Sequence, residues 1–238
     1  MGVASAPALR SGARCLRVVW QDPETRQFHE VATLRLPAGD GEDIGFEYRR
    51  PLPAAFSPFP AFPDAGRTYR SDRLFPFFRN RVMSPSRPDY DDYLDALGLT
   101  REGATPFEML ARTGGARATD TVQVVPEPTV AEDGATEQLF LASGVRHLDG
   151  HEEVLAGLSP GDELIMRDEP DNPYDDRAVL LDAEANRPVG WIPSYMLDEV
   201  HKHRQGIDPV RVFVERVNGP GTPAHLRLLC RLRVEHNG

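Results

Sequence analysis

The chain has 238 residues, and its formal net charge is −10 because 37 acidic residues outnumber 27 lysines and arginines. This balance weighs against a protein that coats duplex DNA by nonspecific electrostatic attraction, so any contact with nucleic acid has to be local. Hydrophobic residues make up 40% of the chain, which is typical of globular proteins, and the length suits two ordinary domains better than one large one.

Two further features bear on the cellular setting. No run of about 18 apolar residues occurs, and residues 1–14 lack the apolar segment of a signal peptide, so we expect a cytoplasmic protein without membrane contact. The abundance of Ala, Gly, Pro and Arg is typical of a GC-rich bacterial genome. Cys15 and Cys230 lie far apart, and neither has a Cys or His at zinc-ligand spacing, which predicts two buried thiols and no metal site.

The N-terminal half starts with alternating apolar and polar residues and continues with helical spacing. These patterns predict strands over residues 15–20, 29–36 and 44–48, helices over 72–83, 88–97 and 106–112, and a last strand over 120–125. The phenylalanines of the proline-rich stretch 51–63 indicate that this stretch packs against a core instead of forming a linker.

This order of elements resembles the N-terminal subdomain of HipA-type proteins, the serine/threonine kinase-like toxins of bacterial toxin–antitoxin pairs. The residues that carry the resemblance are Val31–Leu34, Gly45–Tyr48, Leu74–Asn80, Pro106–Leu110 and Thr121–Glu127. In that family the kinase chemistry lies in a larger domain that follows, and no Gly-rich phosphate loop with its lysine occurs here, so we expect no kinase activity. The resemblance implies instead that residues 1–128 contact a partner protein.

Residues 129–136 are polar and lack periodic apolar positions, which predicts an exposed linker between a domain at 1–128 and a domain at 137–238. The second domain reads as strands and two small helices, the helices over residues 150–156 and 193–204 and the strands over 138–148, 162–168, 177–182, 187–192, 209–217 and 225–234. Short strands of this kind predict a compact barrel. The fold class expected is therefore α+β, with an N-terminal α+β subdomain followed by a small, mainly-β barrel.

One stretch of the second half combines several special residues in a fixed order. Arg167-Asp168-Glu169-Pro170-Asp171-Asn172-Pro173-Tyr174-Asp175 precedes a strand, and Gly190-Trp191-Ile192-Pro193 follows it. This pattern resembles the signature of the HIRAN family, and Gly144–His147 on the predicted first strand extends the resemblance. The resemblance implies a barrel that binds DNA ends without chemistry of its own, and recognition of a terminal 3′-hydroxyl.

The residue types give independent reasons for a binding loop. Asn172 and Pro173 form turns readily, so they can hold the next two side chains in one orientation. The ring of Tyr174 can stack on a base, which is worth roughly 1–3 kcal/mol and tolerates any sequence. Asp175 can accept a hydrogen bond from a sugar hydroxyl or from base amino groups, whereas a phosphate would repel it. Arg146 can meet a phosphate or stack on a base, and His147 stands where relatives have an aromatic residue.

The predicted nucleic-acid site therefore contains Arg146, His147, Arg167, Asn172, Tyr174, Asp175 and Trp191. Each has a structural alternative. Tyr174 and Asp175 can form an ordinary loop in which Asp175 caps neighbouring amides and Tyr174 covers the core. Trp191 can be a packing residue, and the two arginines can pair with Asp168, Glu169 or Asp171 as surface ion pairs.

Three functions remain open at this point. The first is a non-catalytic module for single-stranded DNA 3′ ends that acts in repair, fork processing or defence. The second is an interaction protein in which both halves dock partners. The excess of acidic residues in the second half leaves both functions open, since either a small pocket grips only a strand end and needs few cations, or the barrel binds protein. A hydrolase is the weakest, because no Ser-His-Asp, Cys-His or acidic metal motif is present, and we expect neither catalytic residues nor a cofactor.

Overall fold

The computed structural model describes residues 15–36, 43–117 and 119–236 of the chain. These residues divide into two compact units, each with its own hydrophobic core. The first unit holds most of the chain before residue 128, and the second holds residues 128–236 together with residues 95–98. Strands outnumber helices in the described residues, so the fold is of the mixed α and β class expected.

The first unit contains a five-stranded antiparallel sheet within the described residues, in the order β4-β3-β2-β1-β5. Its strands are β1 (Cys15–Gln21), β2 (Phe28–Arg35), β3 (Ile44–Tyr48), β4 (Tyr69–Ser71) and β5 (Val122–Pro126). Apolar side chains such as Leu16, Val18 and Phe46 are fully buried on one face. Phe62, from the proline-rich stretch, stacks on Phe46 with ring centroids 3.9 Å apart, so that stretch does pack against the core.

Three short helices belong to the N-terminal part of the chain, namely α1 (Pro76–Arg79), α2 (Tyr90–Ala96) and α3 (Pro106–Thr113). The predicted helix over 72–83 is only one turn long, because Pro76 fits the first helical turn and lacks the N–H that an earlier start would need. Helix α3 is defined at both ends. The hydroxyl of Thr105 accepts from the Glu108 amide, and Gly114 ends the helix with a φ of 70°.

The second unit contains a seven-stranded antiparallel sheet within the described residues, in the order β10-β9-β8-β11-β12-β7-β6. Its strands are β6 (Thr129–Val130), β7 (Thr136–Leu141), β8 (Glu163–Asp168), β9 (Val179–Asp182), β10 (Pro188–Trp191), β11 (Val210–Val217) and β12 (Leu228–Val234). A single bridge joins Trp191 of the edge strand β10 to Ser143, just after β7. The sheet therefore curls back on itself into a half-barrel.

Two helices accompany this sheet, α4 (His151–Ala156) and α5 (Leu197–Arg204), close to their predicted positions. Single 3-10 turns occur at Val145–His147, Ser194–Met196 and Ala224–Leu226. The core inside the half-barrel is aliphatic and aromatic, and includes the fully buried Val179, Val189 and Leu228. Cys230 is a buried free thiol in this core, and Cys15 is a buried free thiol in the first unit, as predicted.

Two segments differ from the sequence prediction. The strand predicted over 138–148 stops at Leu141, and Gly144 turns the chain with a φ of 70° into the 3-10 turn that holds Arg146 and His147. Residues 129–136, predicted to be a linker, contain β6, which pairs with β7. A turn ending at Gly134, with a φ of 87°, joins these two strands, because β-branched residues flank a turn-forming Asp-Gly pair.

Helices of the described residues are all too short or too polar to cross a lipid bilayer. The same part of the chain contains no group of three or more His, Cys, Asp or Glu side chains placed to hold a metal ion.

Candidate nucleic-acid interface

A cavity of about 490 Å³ opens on the second unit. Four pieces of chain meet around it, namely the loop between β8 and β9, the end of β10, the turn after Gly144 and the start of α5. Apolar groups such as Ile192, Leu197 and Pro173 line it together with a few polar side chains. A mainly apolar concavity with few polar groups is typical of a binding pocket for a small flat ligand.

The loop between β8 and β9 is ordered by its own side chains. Asn172 Oδ1 accepts hydrogen bonds from the backbone amides of Tyr174 and Asp175, at 3.0 and 3.4 Å. Asp175 Oδ1 in turn accepts from the amide of Arg177 at 2.9 Å. Because Asn and Asp side chains close such turns efficiently, the loop holds its shape without burial.

The geometry of this loop determines the position of the Tyr174 side chain. Its side chain lines the cavity, yet the residue is 90% exposed. An exposed aromatic ring on an ordered loop does not contribute to the core, so the option in which Tyr174 covers the core does not fit its position.

Trp191 forms a wall of the same cavity and is partly buried. Its indole Nε1 donates to Glu169 Oε2 at 2.6 Å. On its other side the ring lies against Gly144, where a Cβ atom would come within 2.5 Å of Trp191 Cε3. Trp191 can therefore be a packing residue and a ligand contact at once, because one part of its ring contacts protein while the residue still lines the cavity.

His147 lines the cavity, and Arg146 stands next to it on the surface. Arg146 Nε donates to His147 Nε2 at 3.1 Å, which leaves its remaining guanidinium N–H groups directed away from that bond. The positive charge of Arg146 also reaches His225 and, after burial, is a cause of the lowered pKa of that imidazole. Arg146 therefore supplies the positive charge of this turn beside the cavity.

Asp175 lines the cavity with a side chain that is about one-quarter exposed. Arg177 lies 3.7 Å from its Oδ1 and makes a shorter ion pair of 2.5 Å with Asp198. The hydrogen bond to the carboxylate of Asp198 is the main cause that raises the pKa of Arg177. Arg177 thus partly compensates the negative charges of Asp175 and Asp198.

Arg167 is placed away from the other predicted site residues. It lies on β8 outside the cavity lining, and its Nε and Nη2 atoms bind the carboxylate of Asp182 at 2.7 and 3.3 Å. The side chain of Asp182 is only 2% exposed, so Arg167 compensates a buried charge. The neighbouring Asp168 pairs with Arg204 instead.

Five of the seven predicted residues therefore line one cavity, which are His147, Asn172, Tyr174, Asp175 and Trp191. Arg146 borders it through His147, and Arg167 does not reach it. The sequence did not single out Gly144 or Glu169 for the site. The signal for Glu169 was its place in the signature stretch, and the signal for Gly144 was a glycine two residues before Arg146, a predicted contact residue.

Two solved structures are similar to part of this chain. A crystal structure of a protein from Lactobacillus plantarum is 20% identical, with a TM-score of 0.34, over 43% of this chain and 100% of that one. A crystal structure of the HIRAN domain of human HLTF is 15% identical, with a TM-score of 0.27, over 43% of this chain and 75% of that one. No protein-family model matches the chain. No curated protein sequence matches it either.

Proposed function

We propose that the second unit is a non-catalytic module that binds the 3′ end of a single DNA strand in the cavity beside Trp191. The observation that carries this proposal is Tyr174, an aromatic ring that is 90% exposed and yet lies on an ordered loop at a cavity of about 490 Å³. The resemblance of the signature stretch to the HIRAN family supports the same function. Repair, fork processing and defence against foreign DNA are the settings in which such ends occur.

The lining suits a nucleobase better than a charged ligand. Tyr174 and Trp191 offer aromatic faces, and stacking on such faces contributes about 1–3 kcal/mol per base. The volume lies within the range of about 300–1,000 Å³ of ordinary small-ligand pockets. A base in the cavity would be read by its flat face, so the module should tolerate any sequence.

The charges favour a hydroxyl over a phosphate at the strand end. Asp175 lines the cavity with its carboxylate, which can accept from a terminal 3′-hydroxyl and would repel a 3′-phosphate. Arg146 is exposed beside His147, a lining residue, and in this proposal it contacts the next phosphate of the strand. A site that grips one end needs only one or two cations, which agrees with a chain of net charge −10.

Fluorescence anisotropy with the full chain tests the proposal. Three oligonucleotides of the same sequence, each with an internal fluorophore, are compared at low salt: a linear strand with a 3′-hydroxyl, one with a 3′-phosphate, and a circular strand. The 3′-hydroxyl strand should bind tightest, because only it satisfies Asp175 without repulsion. Equal affinities for all three, or no binding to any, would contradict end recognition.

The alternative function is docking of a protein. The HipA-like pattern in residues 1–128 supports a partner for the first unit, and the acidic excess of residues 137–238 is compatible with a protein ligand for the second. Equal affinities for the three oligonucleotides, or no binding to any, would make protein docking the better interpretation of both units.

A further inference from the structure

Glu169 links two sides of the cavity through one oxygen atom. Its Oε2 accepts from the indole Nε1 of Trp191 at 2.6 Å and from the side-chain Nδ2 of Asn172 at 3.1 Å. Trp191 belongs to β10, whereas Asn172 belongs to the loop that follows β8. A single carboxylate oxygen therefore connects the aromatic wall with the loop that carries Tyr174.

The connection continues into the backbone of the loop. Asn172 accepts from the amides of Tyr174 and Asp175 with the oxygen of the same side-chain amide whose nitrogen binds Glu169. This arrangement fixes the orientation of the Asn172 amide, because its donor and its acceptor both have partners. Any rotation of the Glu169 side chain would release the wall and the loop together.

Glu169 is itself anchored at the base of the loop. Its backbone amide donates to the carbonyl of Ala178 at 2.9 Å, and its carbonyl accepts from the amide of Asn172 at 3.0 Å. Ala178 is buried, so the loop starts and ends at a fixed point. The side chain of Glu169 thus starts from a rigid position, as is required of a residue that orients others.

We propose that Glu169 is the positioning residue of this pocket, which holds Trp191 and the Asn172–Asp175 loop at the separation that a nucleobase requires. The binding part of this inference rests on the proposed function. Preorganisation is the physical reason, since a ligand that finds both surfaces already in place does not have to order them at its own expense. Hydrogen bonds to a charged acceptor are stronger than neutral ones, so a carboxylate suits this task.

The link between Glu169 and Trp191 is tested first without any ligand. The chain has two tryptophans, so Trp20→Phe leaves Trp191 as the only indole emitter. Glu169→Ala in this background should shift the Trp191 emission maximum and increase its quenching by iodide, because the indole loses its acceptor and gains freedom. Glu169→Gln keeps an acceptor oxygen and should retain most of the parental emission. Glu184→Ala, which removes an exposed carboxylate outside the cavity lining, is the matched control.

The same variants then test the binding role with the 3′-hydroxyl strand. Glu169→Ala should weaken binding by about 5- to 100-fold, the cost of ordering two or more side chains on binding. Glu169→Gln should stay within about threefold of the parent, because it loses the charge and not the geometry. Circular dichroism checks that each variant is folded, and Glu169→Gln keeps the test valid if Glu169→Ala is not.

Each outcome decides one part of the inference. Unchanged Trp191 emission in Glu169→Ala overturns the positioning role whether or not DNA binds. Changed emission with unchanged affinity overturns its importance for binding. Tighter binding by Glu169→Gln would mean that the charge of Glu169 opposes DNA and that its geometry is not what matters. A parent protein that binds no strand refutes the proposed function and the binding role with it, while the emission experiment still decides the link.

Discussion

The backbone of Gly144 lies against the indole ring of Trp191, so closely that a Cβ atom on Gly144 would come within 2.5 Å of Trp191 Cε3. Gly144 also has a φ of 70°, a backbone conformation that residues with side chains rarely adopt. Both observations concern the same turn, the one that places His147 at the cavity. Glycine at this position therefore permits both the left-handed turn and the close packing of the Trp191 ring in the wall of the cavity.

We expect Gly144→Ala to lower the free energy of unfolding by about 2–4 kcal/mol, since the left-handed backbone and the steric clash each contribute to the cost. Denaturant unfolding followed by circular dichroism measures this change. Gly219→Ala is the control, because nothing lies within 4 Å of the Cβ position there. Equal stability of the two variants would show that neither the contact with the Trp191 ring nor the positive φ of Gly144 makes alanine costly there.

Several elements of the second unit agree with the sequence because local residue patterns determine them. The strand predicted over 162–168 is observed at Glu163–Asp168, and the strand predicted over 209–217 is observed at Val210–Val217. Apolar and polar residues in a local pattern mark such strands without reference to the rest of the chain. The bend at Gly144 is different, because it depends on a tryptophan that is distant in sequence and meets the glycine only after the sheet has curled.

The candidate site also contains features that the local sequence predicts and features that depend on contacts between distant residues. The turn-forming residues Asn172 and Pro173 made an ordered loop predictable, and the loop is ordered by the side chain of Asn172. The role of Glu169 was not predictable, since it requires the indole of Trp191 from another strand within 2.6 Å. Arg167 had several acidic neighbours in sequence, yet its partner is Asp182 on the adjacent strand, which only the register of β8 and β9 reveals.

Arg167→Ala should destabilise the protein and leave DNA binding intact. It leaves the buried carboxylate of Asp182 without its cation, which should lower the free energy of unfolding by about 1–3 kcal/mol, a value reduced from that of a fully buried pair because Arg167 is partly exposed. Denaturant unfolding provides the measurement. Arg211→Ala is the control, because its ion pairs of 3.9 and 4.0 Å are long and exposed.

If folded Arg167→Ala binds the 3′-hydroxyl strand more weakly than the parent does, this arginine contributes to the binding site. That result would support the sequence prediction over the observed position of Arg167 outside the cavity lining.

Tyr174→Ala should reduce affinity without reducing stability. The ring is 90% exposed, so its removal costs the core nothing, whereas loss of stacking should weaken binding by about 1–3 kcal/mol. Tyr174→Phe should bind nearly as the parent does, because the stacking face remains. Anisotropy titrations measure both, with Ile207→Ala as the control for removal of an exposed apolar side chain outside the cavity lining. Parental affinity of Tyr174→Ala would remove the stacking ring from the proposed site.

Arg146→Ala should change the salt dependence of binding rather than the stacking contribution. Arg146 is exposed on the turn beside the cavity, where its Nε donates to His147, and under the proposed function it contacts the phosphate next to the terminal nucleotide. A cation that contacts a phosphate displaces one counterion from the strand, so the slope of log affinity against log salt concentration should become shallower by about one unit without Arg146. Tyr174→Ala should lower affinity at every salt concentration with the slope unchanged, so the two variants differ in kind. Arg187→Ala, which removes an exposed arginine outside the cavity lining, should behave as the parent does. A slope that Arg146→Ala leaves unchanged would place the strand's phosphates elsewhere on the second unit, even if affinity falls.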